Sequence, residues 1–340
     1  LMNCLEWLPI YFGILKTGAL AVPLNFRYAP DEIEYCLNLA EVDVLVFGPE
    51  FIGRVEEIAD KISQNRLLFY VGGDCPSFAE DYDKLMWLSK GWERIYDPST
   101  NFVRPKKADG QFIGDFNPMQ VWRGFQEGNA WQYTFYVPQD PAGLVSKVGA
   151  DVFNQRLDSI FTVSQKLIFS GGTEVGAFAG LQTLYNQGNQ PCLHISWLFN
   201  EAGRPSLTQK WVRAILDEFY GTDGIHGYGY GQDEDQGQLG AWYVIASLGM
   251  FDVKGLTDSS PSFALGSPVF DKITIQLNNR YYKGKEFVIE AKNNSKENVY
   301  VQQYRLNGEV YPATRIPFET ITAGGRLEMD MGNQAVDDYK

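Results

Sequence analysis

The spacing of apolar positions changes twice along this chain. Over residues 1 to about 88, helical and strand spacings alternate. In "CLEWLPIYFGILKTG", Leu5, Leu8, Phe12 and Leu15 recur at helical spacing and Gly18 fits a C-cap. "ALAVPL" reads as a short buried strand, "VDVLVFG" as a second and "RLLFYVGG" as a third. "APDEIEYCLNLA" places Pro30 in a first helical turn, where its missing N–H costs nothing, and "FIGRVEEIADKI" reads as another helix. Strands alternating with helices predict a parallel sheet.

From about 91 to 265 the helical period prevails. "DVFNQRLDSIF" sets Phe153, Leu157, Ile160 and Phe161 on one stripe, with Asp151 as the expected N-cap. "SLTQKWVRAILDEFY" aligns Leu207, Trp211, Ala214, Ile215 and Phe219 behind Ser206 as cap, and "LGAWYVIASLGMF" groups Leu239, Trp242, Tyr243 and Ala246. Loops rich in Gly, Pro and aromatics join them, the pattern of a helical barrel or bundle. From about 266 the period falls to two. "KITIQL", "EFVIEAKN", "VYVQQYRL" and "GRLEMDM" are strand candidates, and "RLNGEVY" holds Asn-Gly, the strongest short hairpin signal. The chain therefore reads as multidomain: an α/β piece over 1–88, a mainly helical part over 91–265, and a small antiparallel β module over 266–340. The grammar shifts at "MWLSKGWERIY", residues 86 to 96.

Composition narrows the partners. Of 340 residues, 44% are hydrophobic, enough for a sizeable core. The net charge of −13 opposes a nucleic-acid backbone or an anionic membrane as partner, since both need a basic face. Cys4, Cys36, Cys75 and Cys192 are far apart and show no metal-ligand spacing, so free thiols are expected. The opening "LMNCLEWLPI" shows no basic n-region, so no signal peptide is legible there, and no apolar run is long enough to span a bilayer.

Candidate chemistry gathers in three places. In "GQDEDQGQLGAW", Asp233, Glu234 and Asp235 crowd three carboxylates together. Asp235 stands three residues before Gln238, a variant of the capping box. A calcium site is a second reading, although the spacing is not that of an EF-hand. The base of an inverting glycosidase, activating a water beside a sugar, is a third. Upstream, "FQEGNAWQYTFYVPQD" places Glu127 beside Phe125, Trp131, Tyr133 and Phe135. An apolar aromatic pocket raises a carboxyl pKa, which suits a proton donor, whereas a plain surface Glu at a turn is the simpler reading. In "YNQGNQPCLHISWLFNEAG", Asn189, Gln190 and His194 offer amide and imidazole groups for sugar hydroxyls or Ca²⁺, although a lone His is more often structural. His226, in the glycine-rich "TDGIHGYGYG", is structural or substrate-facing.

Together these residues resemble the C-terminal part of the family 92 glycoside hydrolases, the calcium-dependent exo-acting α-mannosidases. The matching stretches are "EGNAWQYTFYVPQD", "GNQPCLHISWLFNEAGRP", "ILDEFYG", "GQDEDQGQLGAWYVIASLGMF" and "FALGSPVFDKITIQL", in order. The resemblance implies a six-hairpin α/α toroid, here partial, packed against a β-sandwich, and inversion at the anomeric carbon. It implies Glu127 as general acid and Asp233 and Asp235 as the groups that hold or activate the water. It also implies Trp131, Gln139, Asp140, Gln190 and His194 toward a mannose-containing glycan, Ca²⁺ near Asn189 and Gln190, and a secreted or periplasmic protein. Many members carry His where this chain has Gln139, Glu where it has Gln190, often His where it has Leu193, and a small residue where it has Gln232. These departures bear on linkage specificity, including the common α-1,2 preference.

The first 88 residues are similar to something else. "GILKTGALAVPLN", followed by "DEIEYCL" and "VDVLV", resembles the N-terminal region of the adenylate-forming acyl-CoA synthetases. That family's Ser/Thr/Gly-rich phosphate loop and aromatic-Gly adenine site have no counterpart here, so this stretch reads as a Rossmann-like scaffold fragment. The chain looks like two partial proteins joined. A glycan-binding remnant without catalysis is the alternative to an active mannosidase, and a synthetase-like fragment ranks last.

Overall fold

A computed structural model of the chain describes Trp7, Ile10, Tyr11 and residues 20–82, 90–172, 179–222, 237–256, 258 and 260–339. Most of the first predicted helix, with Gly18, lies outside them, as does His226. The chain divides into two compact units, Leu1–Gly91 and Trp92–Lys340.

In the first unit, α1 spans Pro30–Leu39, with Pro30 opening the helix as expected. Glu32 reaches back to accept from the Ala29 N–H at 2.8 Å, half of a capping box. Strand β1 (Val44–Phe47) pairs in parallel with β2 (Leu67–Tyr70), which pairs in parallel with β3 (Glu80–Asp81). The helix expected at 51–62 is broken into a 3₁₀ turn over Pro49–Phe51, α2 (Ile52–Glu56) and α3 (Ala59–Ile62). Val55, Ile58 and Ile62 still pack with Leu45, Phe47, Leu68 and Tyr70 into one core. "ALAVPL" is not a strand over its described residues: β1 is the edge of its sheet, and Leu20 is 90% exposed. Pro23 removes a donor that a ladder there would need.

The second unit opens with the hairpin β4 (Tyr96–Asp97) and β5 (Phe102–Val103). Helices follow at α4 (Ala130–Tyr133), α5 (Pro141–Val148), α6 (Ala150–Gln165), α7 (Pro205–Glu218) and α8 (Gln238–Ser247). The predicted stripes meet in one core, where Phe153, Leu157, Ile160 and Phe161 of α6 pack with Trp211, Ile215 and Phe219 of the second predicted helix and Leu239, Trp242 and Ala246 of α8; Tyr243, grouped with the last three, is instead 40% exposed. The caps differ from expectation. Gly149, with φ 88°, joins α5 to α6, so Asp151 sits inside the first turn, where it complements the helix dipole. α7 begins one residue early, at Pro205, and the Ser206 N–H donates to Asp337 at 3.0 Å. Gln238 is the first residue of α8 behind Gly237, whose φ is 74°; Asp235 lies outside the described residues.

The C-terminal strands β8 (Lys272–Gln276), β9 (Glu286–Lys292), β10 (Tyr300–Leu306) and β13 (Gly325–Gly332) form where the period predicts them. With β11 (Glu309–Val310) they make one sheet in the order β11-β10-β13-β9-β8. Asn307 and Gly308 take φ of 54° and 89°, the paired left-handed residues of a tight hairpin. The sheet is mixed, not antiparallel, because β13 pairs with β9 in parallel. Between β9 and β13 the chain forms the β10–β11 hairpin, β12 (Arg315–Pro317) and α9 (Phe318–Thr322), and so returns in the same direction. A smaller sheet, β12-β7-β6, draws on β6 (Met250–Phe251) and β7 (Ser262–Leu265), which the strand reading had missed. Gln209 of α7 ties helices to sheet. Its Oε1 accepts from the Val301 N–H at 2.9 Å, and its Nε2 donates to Tyr339 Oη at 2.9 Å.

Candidate functional site

The Glu127 turn is built by its neighbours. Glu127 is exposed and takes φ 48°, a left-handed value uncommon for a residue with a side chain. Its carbonyl accepts from Asn189 Nδ2 at 2.5 Å. The preceding carbonyl, that of Gln126, accepts from the Tyr133 hydroxyl. Gly128 follows, and a Cβ there would stand 2.7 Å from Tyr133 Cε2 and 2.9 Å from Gln132 Oε1, so those side chains would have to give way.

A lattice of buried amides locks this turn to residues 179–194. Asn129 caps α4 by accepting from the Trp131 N–H at 2.9 Å. Its Nδ2 donates to the Leu181 carbonyl at 2.7 Å and the Thr183 carbonyl at 2.9 Å. Gln132 Nε2 donates to the carbonyls of Gly180 at 2.9 Å and Thr183 at 3.0 Å. Both side chains are fully buried, where an unmade bond would cost about 1–3 kcal/mol. Sequence reading missed these two residues. Asn129 before a helical turn carried a capping signal, but its long-range acceptors had none.

Of the four aromatic residues expected around Glu127, Phe125 and Tyr133 pack together beside its turn, whereas Trp131 and Phe135 pack elsewhere. Trp131 turns its ring edge-on to Phe102 at 4.8 Å, with the Arg156 guanidinium 4.7 Å above it. Phe135 is buried against Phe153. Tyr133 is the aromatic that senses Glu127. Its phenol is pushed up to about 12, chiefly by burial, with the charges of Cys192, Tyr136 and Glu127 adding to it.

The other predicted residues divide by what they touch. His194 is buried, and its Nε2 pairs with the Phe135 carbonyl at 2.8 Å. Burial pulls its pKa down to about 4, against the raising effect of that carbonyl, so it is a neutral ring beneath Tyr136. Asp140 caps α5 through the Gly143 N–H at 3.2 Å and accepts from Trp92 Nε1 at 3.3 Å. Gln139 is exposed and Gln190 half-buried at the start of a short 3₁₀ turn. Asn189 and Gln190 offer amide oxygens of the kind Ca²⁺ takes, yet Ca²⁺ needs six to eight oxygens. Among the described residues no group of three His, Cys, Asp or Glu side chains stands ready for a metal. The described residues alone do not complete such a site.

Asp233 and Asp235 lie outside the described residues. The residues flanking them are well held. Tyr220 Oη donates to the Leu239 carbonyl at 3.1 Å, and the Tyr220 ring stacks on Trp242 at 5.8 Å. Trp242 Nε1 donates to the Leu193 carbonyl at 2.7 Å, and Gln187 Nε2 reaches Tyr220 Oη at 3.1 Å. Both flanks of the acidic stretch are thus bonded to the segment 187–193 that also carries Asn189.

Comparison with known proteins gives two matches along the chain. Residues 61–333 match the glycosyl hydrolase family 92 catalytic domain, and residues 1–99 match AMP-binding enzyme. An uncharacterized secreted glycosidase of Arthroderma benhamiae is 25% identical over 286 residues, covering 75% of this chain and 33% of that protein. A family GH92 inverting mannosidase of Bacteroides thetaiotaomicron superposes with a TM-score of 0.62 at 28% identity, over 74% of this chain and 34% of the other. A family GH92 α-mannosidase of the same organism, in complex with mannoimidazole, gives a TM-score of 0.61 at 28% identity, over 72% and 32%. The chain therefore spans about a third of the length of these relatives. A family match that runs through Glu127, the amide lattice and the C-terminal sheet covers most of the sequence, and on it the chain belongs to glycosyl hydrolase family 92.

Proposed function

We propose that residues 91–265 carry the acid–base centre of an inverting exo-α-mannosidase, as part of a six-hairpin helical toroid, with the β module of 266–340 packed beneath it and residues 1–88 as a Rossmann-like scaffold fragment. Glu127 gives its proton to the glycosidic oxygen as the bond from that oxygen to the anomeric carbon breaks. A water attacks the opposite face of the sugar, and Asp233 or Asp235 takes the proton it loses. Inversion of this kind sets the two carboxyl groups roughly 6.5–9.5 Å apart, leaving room for the water. The observation that carries the reading is the shared anchorage of the two parts. The Glu127 carbonyl is bonded to Asn189, and Tyr220 and Trp242, which lie before and after the acidic stretch, are bonded to Gln187 and Leu193 of the same segment. The substrate class is a glycan with terminal mannose, in keeping with the mannosidases and the mannoimidazole complex among the structural relatives.

Gln139 and Gln190 border the sugar sites in this reading, and Trp131, packed on Phe102 and beneath Arg156, supports them from behind. Asp140 and His194 contribute by holding α5 and the Phe135 carbonyl. Ca²⁺ would be held by Asn189 and Gln190 with carboxylates of the acidic triplet, and when bound would polarise and orient sugar hydroxyls. Secretion or a periplasmic location follows the named secretion of the fungal relative. Among the described residues no helix is long and apolar enough to cross a membrane.

The test is hydrolysis of an aryl α-mannoside by the 340-residue chain. Turnover with Ca²⁺, lost in EDTA and restored by Ca²⁺, is expected, with a matching Ca²⁺ binding isotherm in calorimetry. A folded chain that neither turns over nor binds Ca²⁺ defeats the reading. A second reading, a glycan-binding piece without catalysis, draws on the exposure of Glu127 and on the chain's share of its relatives' length. Mannose binding by calorimetry without hydrolysis separates the two.

A further inference from the structure

We propose that Tyr133 is a positioning residue for the general acid: its hydroxyl and the Asn189 amide grip the carbonyls of residues 126 and 127, and together hold Glu127 in its left-handed backbone. The inference rests on the reading of Glu127 as proton donor. A residue with a side chain loses about 1–2 kcal/mol in the left-handed region, so neighbours must impose φ 48° there. The imposing contacts stand on both sides of the residue. Tyr133 Oη donates to the Gln126 carbonyl, seven residues back, and Asn189 Nδ2 donates to the Glu127 carbonyl from sixty-two residues away. The Tyr133 ring also closes over Gly128, where a Cβ would meet Cε2 at 2.7 Å. Tyr133 is itself fixed. It ends α4, whose start is capped by Asn129, and its ring packs on Phe125 at 5.4 Å and edge-on to Tyr136 at 6.1 Å. Rotating either peptide of Glu127 out of its present orientation would break one of these bonds. The Cα–Cβ bond of Glu127, from which its carboxyl group hangs, is thereby aimed by the backbone.

Tyr133→Phe keeps the ring and releases the Gln126 carbonyl. In the full chain, kcat on phenyl α-mannoside, whose leaving group needs the acid's proton, is expected to fall about 10- to 100-fold. On 2,4-dinitrophenyl α-mannoside, whose leaving group departs without protonation, it should change by less than about threefold, with KM unmoved on both. Equal losses on the two substrates, or no loss on either, overturn the proposal. Glu127→Gln run alongside separates the failures. If it shows no leaving-group selectivity, or the wild-type chain is inert, the acid assignment falls. If it is selective and Tyr133→Phe is not, only the positioning role falls. A crystal structure of Tyr133→Phe reads the same claim without turnover. Glu127 should leave the left-handed region, and retention of its present φ overturns the proposal. Gly128→Ala, which drives a methyl into the Tyr133 ring, should reproduce the selective loss should Tyr133→Phe fold poorly.

Discussion

Residues 1–91 and residues 92–340 bury their interiors differently. The core of the first unit is Ile33, Leu37, Phe47, Val55, Ile58, Ile62 and their apolar neighbours. No buried polar side chain among the described residues belongs to it, and Tyr35 and Leu39 on α1 stand 65% and 70% exposed. The second unit buries Asn129, Gln132, Gln187, Asn189, His194 and Gln209 beside its aromatic core. An apolar interior asks only for side chains of suitable size at the right period. A buried amide needs a named partner at hydrogen-bond distance and is costly without one. The second unit is therefore tied by named hydrogen bonds around Glu127, whereas the described core of the first is apolar. Chemistry belongs where polar groups were buried in spite of that cost.

The sharpest way to break this contrast is Glu127→Gln. If the second unit holds the acid, turnover of an unactivated aryl α-mannoside falls about 10²- to 10⁴-fold. The unfolding free energy should stay within about 0.5 kcal/mol, because the side chain is exposed. Undiminished turnover would remove the second unit's claim.

A smaller effect sharpens it through pH. His194 in the unfolded chain protonates near 6.5, whereas burial holds it neutral in the folded chain down to about 4. Its contribution is thus complete above 6.5 and is lost as pH falls toward 4, of order 3 kcal/mol in all. The chain has two His, neither in residues 1–91, so this acid sensitivity belongs to the second unit. Urea denaturation at pH 7 and pH 4.5 should show the loss, and His194→Gln should flatten it. An unchanged slope in that variant would point to other groups.

The smallest effect concerns the scaffold. Tyr35→Ser and Leu39→Ser should leave unfolding within about 0.5 kcal/mol, since both side chains face solvent, while lowering self-association in light scattering. A larger loss would mean that α1 is covered in solution and that the first unit is more than an apolar shell.

Much of the architecture was legible because it is local. The stripes of α6, α7 and α8, the Pro30 helix start and the Asn307–Gly308 turn each depend on residues a few positions apart. Legibility failed where partners are distant. Ser206 and Asp151 looked like caps, yet Gly149 and Pro205 opened those helices once α5 and Asp337 were in place. "ALAVPL" had a strand's composition but no neighbouring strand over its described residues. β13 lies parallel to β9 because of the path between them, which no period reports.

For the site, the sequence by itself determined which residue types were at hand: an acid among aromatics, an amide-rich turn, a triplet of carboxylates. Only the tertiary structure decided that Asn189 closes on the Glu127 carbonyl, that Trp131 turns away to Phe102 and Arg156, and that His194 is a buried strut. The reason is range. Periodicity and capping are set within a turn or two of chain, whereas a contact across sixty-two residues exists only after the core has fixed both ends.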